Sequence, residues 1–176
     1  MGQYYLPIIL KKEDRNEPVK SWYSHDFKNG SKLTEHSYID NKFVANVEYY
    51  LLNNPQPLVW EGDYAENGNN TLYTRADTLN AAPEKFSVSK LHNTYVVNHE
   101  KKQFYKRPKP SNKTWVVNPL PLLTCEGNGK GGGDYFTENL EELNLIGSWA
   151  RNIIEITHKH PNDDYTEIFP PFKVDY

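Results

Sequence analysis

Apolar positions in this chain mostly recur at a spacing of two, in short runs between turn residues; a sustained helical spacing occurs once. Gln3 to Leu10 is aromatic and β-branched and reads as a first strand. After the charged turn Lys11 to Pro18, the residues Val19, Ser21 and Tyr23 alternate with Lys20, Trp22 and Ser24. That pattern predicts a second strand over Val19 to Phe27, antiparallel to the first. Asn29-Gly30 signals a turn, and Ser31 to Tyr38 is expected to continue as a third strand. The helical exception is Asn41 to Leu52, where Phe43, Val44, Val47, Tyr50 and Leu51 share a face. Asp40 or Asn41 can cap its start by accepting backbone N–H bonds, and Asn53-Asn54-Pro55 stops it.

Further along, Pro57 to Tyr64 reads as a strand, Leu72 to Lys90 as irregular, and Thr94 to Lys106 as a hairpin. Arg107 to Lys113 is basic and proline-rich, an expected exposed connector. Trp115 to Leu123 is expected to be extended or at a sheet edge, because Pro119 and Pro121 have no N–H to give to a ladder. Thr137 to Asn144 predicts a short helical turn, Arg151 to Thr157 a strand, and Tyr165 to Phe169 a last strand. Together these predict an α+β fold, a mainly antiparallel sheet with one amphipathic helix (about 41–52) packed on it, in a single domain over 1–176.

Composition adjusts this picture in two ways. Mean hydropathy is low, −0.82, yet aromatics make up 14% of the chain, which a disordered segment would lack. The net charge of −3 and a pI of about 6.1 give no general electrostatic case for nucleic acid or an anionic membrane. No apolar run is long enough to span a bilayer, and Met1 to Pro7 lacks the basic region and apolar core of a signal peptide. The lone Cys125 excludes an internal disulfide, so the expected compartment is the cytoplasm.

Candidate chemistry centres on Thr124 to Tyr135, which holds the only cysteine and five of the ten glycines. Glycines let backbone N–H groups form an anion-binding nest, to which Lys130 adds charge. The spacing is neither that of a P-loop nor that of a dinucleotide-binding loop. The ligand-binding candidates are therefore Gly129, Lys130, Gly131, Asp134 and Tyr135, with a plain connector as the other reading. Arg151 joins them, since its planar fork binds phosphate or carboxylate; pairing with Glu126 is the structural alternative. Cys125 is a nucleophile only if a histidine lowers its pKa, and otherwise a small buried side chain. If the Asn29-Gly30 turn closes a hairpin, His25, Asp26, Glu35 and His36 can converge as an acid–base pair or as metal ligands. Asp63 and Asp134 each follow a glycine and precede a tyrosine. They are either a carboxylate pair or two turn formers. Lys101 to Lys113, with Phe104, Tyr105 and Trp115, has the ingredients of a single-strand nucleic-acid surface, but reads better as a solvated connector.

Several segments together resemble a family of uncharacterised bacterial and phage-associated proteins: Met1 to Tyr5, Tyr23 to Phe27 with Lys32 to Ser37, Trp60 to Ala65, Leu120 to Gly129 running into Gly131 to Tyr135, and Gly147 to Arg151. The likeness covers most of the chain outside Leu72 to Asn93, and Thr34 stands where the family's pattern has a larger apolar residue. The family has no established activity, so the resemblance implies a setting, an intracellular bacterial or phage accessory protein, and no catalytic role. The expected function is non-enzymatic recognition of a small anionic ligand, such as a nucleotide signal, or of a host protein, in host interaction or anti-defence, with no cofactor and no metal. The rival is a hydrolase or transferase that uses His25 or His36 as base with Asp63 or Asp134.

Overall fold

The computed structural model describes residues 2–129 and 132–173. Its strands are β1 (Tyr5–Leu10), β2 (Pro18–Ser21), β3 (Gln56–Gly62), β4 (Tyr95–Asn98), β5 (Gln103–Lys106), β6 (Cys125–Glu126), β7 (Ile153–Thr157) and β8 (Thr166–Glu167). They form one sheet in the order β2-β1-β3-β7-β4-β5-β8. Strand β6 lies outside this path and runs parallel to the C-terminal end of β3, while β7 pairs antiparallel with its N-terminal end. The other parallel pair is β5 with β8, and the remaining pairs are antiparallel. The fold is thus α+β with a mostly antiparallel sheet.

Alternation along β1 and β3 divides the core. Tyr5, Ile9, Leu58 and Trp60 face one layer, packed with Phe43, Val44 and Val47 of α2 (Lys42–Tyr50). Leu6, Ile8, Leu10 and Val59 face a smaller layer closed by Leu72 and Ala76 of α3 (Leu72–Ala76). The sheet is therefore covered on both faces, which is why β1 and β3 are buried almost throughout. The cap of α2 forms as its sequence requires: Asn41 Oδ1 accepts from the N–H groups of Phe43 and Val44, at 2.9 and 3.2 Å.

Five expectations change, the first being that Leu72–Ala76, inside the stretch expected to be irregular, is helix α3, capped by the Thr71 hydroxyl accepting from the N–H of Thr74. Ser24–Phe27 is a 3₁₀ turn and Leu33–His36 is a short helix, α1, so no hairpin forms across Asn29-Gly30. Lys28 takes a left-handed conformation (φ 56°) and ends the 3₁₀ turn, which diverts the chain. Pro119–Thr124 is a buried helix, α4, because Pro119 sits in its first turn, where a missing N–H costs nothing, and Asn118 caps the N–H of Leu120. A fifth helix, α5 (Leu140–Leu145), falls within the predicted helical turn. Arg107, placed by its neighbours in an exposed connector, is instead buried.

Its partner is Glu48, fully buried on α2. Arg107 Nε donates to Glu48 Oε2 at 2.7 Å and Nη2 to Oε1 at 3.2 Å; Nη2 also reaches Asp40 Oδ1 at 3.0 Å. Asn118 Nδ2 adds a further donor to Glu48 Oε1 at 3.0 Å. This ion pair ties the end of the β4–β5 hairpin and the start of α4 to the central helix.

Candidate functional site

The two Gly-Asp-Tyr turns bind neighbouring residues, Asp63 the Tyr4 backbone and Asp134 the side chains of Gln3 and Tyr5. Both dock on residues 3–5 at the start of β1. Asp63 Oδ1 accepts from the N–H of Tyr4 at 3.0 Å, and its own N–H donates to the Tyr4 carbonyl at 2.9 Å. Asp134 Oδ1 accepts from Gln3 Nε2 at 2.6 Å and from the Tyr5 hydroxyl. Gln3, fully buried, also joins Asn128, donating to its Oδ1 at 3.2 Å and accepting from its N–H at 3.4 Å. Asp63 therefore acts on backbone, while Asp134 anchors a side-chain network. Gly127 must lack a side chain here, since a Cβ would collide with the Tyr5 hydroxyl and crowd Asp134 Oδ1 at 3.0 Å. Burial, and secondarily the bond to Asp134, holds the Tyr5 hydroxyl protonated far above the ordinary tyrosine range.

Above this network lies a cleft of about 580 Å³. Tyr5, Glu126, Gly127, Gly129 and Asp134 line one part, and Tyr135, Phe136, Leu143 and Ile146 another. Helix α5 is amphipathic in an unusual sense. Glu142 is turned inward, bonding Tyr135 and Thr137, while Leu140 is 75% exposed and Leu143 46%. Phe136, 67% exposed, continues the same apolar lip. Cys125 also lines the cleft, but burial, with the neighbouring Asp134 charge, pushes its thiol up to about 12, and it donates to the Leu122 carbonyl at 3.4 Å. A thiol so placed is no nucleophile at neutral pH.

Arg151 is occupied. Its Nε and Nη2 bond both oxygens of Glu126, at 2.8 and 2.9 Å, and Nη2 stands 3.5 Å from Glu61 and from Glu66. Its Nη1 donates to the Arg15 carbonyl at 3.1 Å and to Asn16. The guanidinium closes a group of three carboxylates. Glu61 is the anomaly among them: it is 1% exposed, and its carboxyl group has only Arg151 Nη2, at 3.5 Å, and the Glu126 carboxyl beside it among the described residues. Register places it directly beside Glu126 on the parallel strand. Burial and the Glu126 charge, against a weaker pull from Arg151, raise its pKa well above the ordinary carboxylate range.

The histidines separate. His25 is exposed on the 3₁₀ turn, whereas His36 is fully buried. His36 Nδ1 bonds the Gly30 carbonyl at 2.9 Å, its Nε2 accepts from Trp60 Nε1 at 3.0 Å, and Phe43 packs edge-on to its ring. With both nitrogens used inside the core, His36 is structural. Desolvation lowers its pKa to about 4, so the folded protein resists a proton that the unfolded chain accepts. Stability from this group is intact above about pH 6.5 and falls towards pH 4. The stability difference between wild type and His36→Gln, measured by urea unfolding, should shrink by about 2–3 kcal/mol from pH 7 to pH 4.5. A constant difference would show that His36 does not titrate in this way.

Of the ligand-binding candidates, Gly129, Asp134 and Tyr135 line the cleft and Arg151 stands beside it, bound to Glu126. Lys130 and Gly131 lie outside the described residues. Among the described residues, no group of three or more His, Cys, Asp or Glu side chains could hold a metal ion, and no helix is long and apolar enough to cross a membrane. Sequence reasoning missed Gln3 and Glu61. Glu61 leaves one signal, a carboxylate inside the apolar run of β3; Gln3 leaves none. No family model matches the chain, and comparisons with curated proteins and with solved structures return no match.

Proposed function

We propose that this is a non-enzymatic binding protein that captures a segment of a partner protein in the cleft beside α5. The observation that carries the reading is an apolar lip: Phe136 and Leu143 line the cavity and are exposed, and exposed Leu140 precedes Leu143 by three residues on α5. Three large apolar side chains gathered at one opening mark an interaction site better than scattered ones do. The chemistry of the walls favours a protein over a small anion, because Arg151 is committed to carboxylates and the other described charges of the lining, Glu126 and Asp134, are acidic. The non-enzymatic reading is preferred because Cys125 is buried as a thiol and both His36 nitrogens are bonded inside the core, while His25, the other base of the hydrolase or transferase reading, is exposed on the 3₁₀ turn. The resemblance to bacterial and phage-associated proteins suits a role in host interaction or anti-defence, with a host protein as the partner.

A photo-crosslinking residue at Phe136 tests this in bacterial cells, with the same residue at the exposed Phe169 as control. A discrete adduct of a foreign protein is expected at position 136, absent at 169 and lost on Leu140→Glu. Equal, diffuse labelling at both positions would rule the reading out.

A further inference from the structure

Two features of the surface remain unabsorbed, and their chemistry is complementary. The first surrounds the cleft. Residues 132–150 carry Asp134, Glu138, Glu141 and Glu142 and no basic residue, and Glu126, which pairs with Arg151, adds a carboxylate to the lining. Lys32, packed against Gly133, and Lys173, beside Glu142, offset this only at the margin. The opening is thus apolar at its lip and acidic around it. The second is the segment after β5. Lys106 at the end of β5 and Lys109 and Lys113 beyond it are exposed, Pro108 and Pro110 favour an extended backbone, and the segment ends in Trp115, which packs edge-on against Tyr38 and is 62% exposed. A large aromatic flanked by cations on a stiff, extended segment is the kind of element that anchors interfaces.

We propose that the cleft of one copy receives the Lys106–Trp115 segment of a second copy, with Trp115 against Phe136, Leu140 and Leu143 and the lysines facing the surrounding carboxylates. This goes beyond capture of a foreign partner and does not depend on it; a host protein that enters the cleft competes with the second copy. Donor and acceptor surfaces differ, so each contact is heterologous, and it closes only if the pairing is reciprocal or a ring forms. A single segment in a cleft buries less than a standard interface, so the association is transient, with a Kd on the order of 10–500 μM. Because opposite charges meet at an exposed surface, it weakens as salt rises.

Sedimentation velocity on the whole protein, from low micromolar to about 1 mM at low and high salt, decides the matter. The expected result is concentration-dependent growth in mass that is suppressed by salt. Trp115→Ala and Leu140→Glu should each abolish it while circular dichroism and melting stay unchanged. The discriminating sample is an equimolar mixture of the two variants. One keeps an intact cleft and the other an intact segment, so the mixture should recover heterodimers that neither variant forms alone. A wild type that stays monomeric throughout, an association indifferent to both substitutions, or a mixture that remains monomeric would each overturn the proposal. None of these outcomes bears on foreign adducts at position 136, which test the partner-capture reading separately.

Discussion

Replacing Arg107 with alanine is expected to lower the unfolding free energy by about 3–5 kcal/mol, a large share of what holds a domain of this size folded. The effect comes from what is left behind. Glu48 has no solvent access, and Arg107 supplies two of its three hydrogen bonds, leaving only Asn118. Tyr105, buried nearby, is held neutral by burial and by the Glu48 charge, and as a phenol it cannot replace the lost cation. The pair as a whole is a different matter, since two buried ions cost desolvation that their attraction only partly offsets. The double variant Glu48→Leu with Arg107→Leu should therefore regain most of the loss. Chemical denaturation of the two single variants and the double measures the coupling directly. Additive losses would mean that the two side chains do not act as a buried pair.

Glu61→Gln is expected to act in the other direction. The amide keeps the shape of the protonated acid and can donate to Glu126, but it never has to ionise in the core. In the wild type, the folded state holds the Glu61 proton more tightly than the unfolded chain does, so stability falls as pH rises above about 4.5. His36 contributes the opposite slope between about pH 4 and 6.5. From these two groups, wild-type stability is nearly level up to pH 6.5 and then declines. Without Glu61 it should climb to pH 6.5 and stay level, so that at pH 8 the variant is more stable by about 4 kcal/mol and at pH 4.5 nearly equal. Melting curves from pH 4.5 to 8.5 test this. Parallel profiles would mean that Glu61 ionises as freely in the fold as outside it.

What the sequence revealed was local. Asn41 and the spacing behind it announce α2 because cap and apolar face lie within one stretch, and β1, β3 and the β4–β5 hairpin are visible as short apolar runs between turn residues. Helix α1 was hidden because His36 reads as polar, and only Trp60, 24 residues away, makes it a core residue. Pro119 looked like an obstacle to regular structure because its value at a helix start depends on Asn118 and on burial. Arg107 was misplaced for the same reason, its partner lying 59 positions earlier. The site was the least legible of all: Gln3 and Asp134 meet across 131 positions. The glycine-rich loop is conspicuous in the sequence, but the packing of Gly127 against Tyr5 and the saturation of Arg151 emerge only in three dimensions.

Strand β3 has a consequence for synthesis on the ribosome. Its partners are residues 5–9, 125–126 and 153–154, so one edge is satisfied early and the other is shared by two segments near the end of the chain. As the nascent chain emerges, β1, β2 and β3 can pair at once, but β3 then presents a bare apolar edge until residue 154 has left the exit tunnel. Translation at about 5–20 residues per second leaves that edge open for several seconds. A chaperone that shields it during that interval should raise the yield of folded protein more than any substitution at the cleft would.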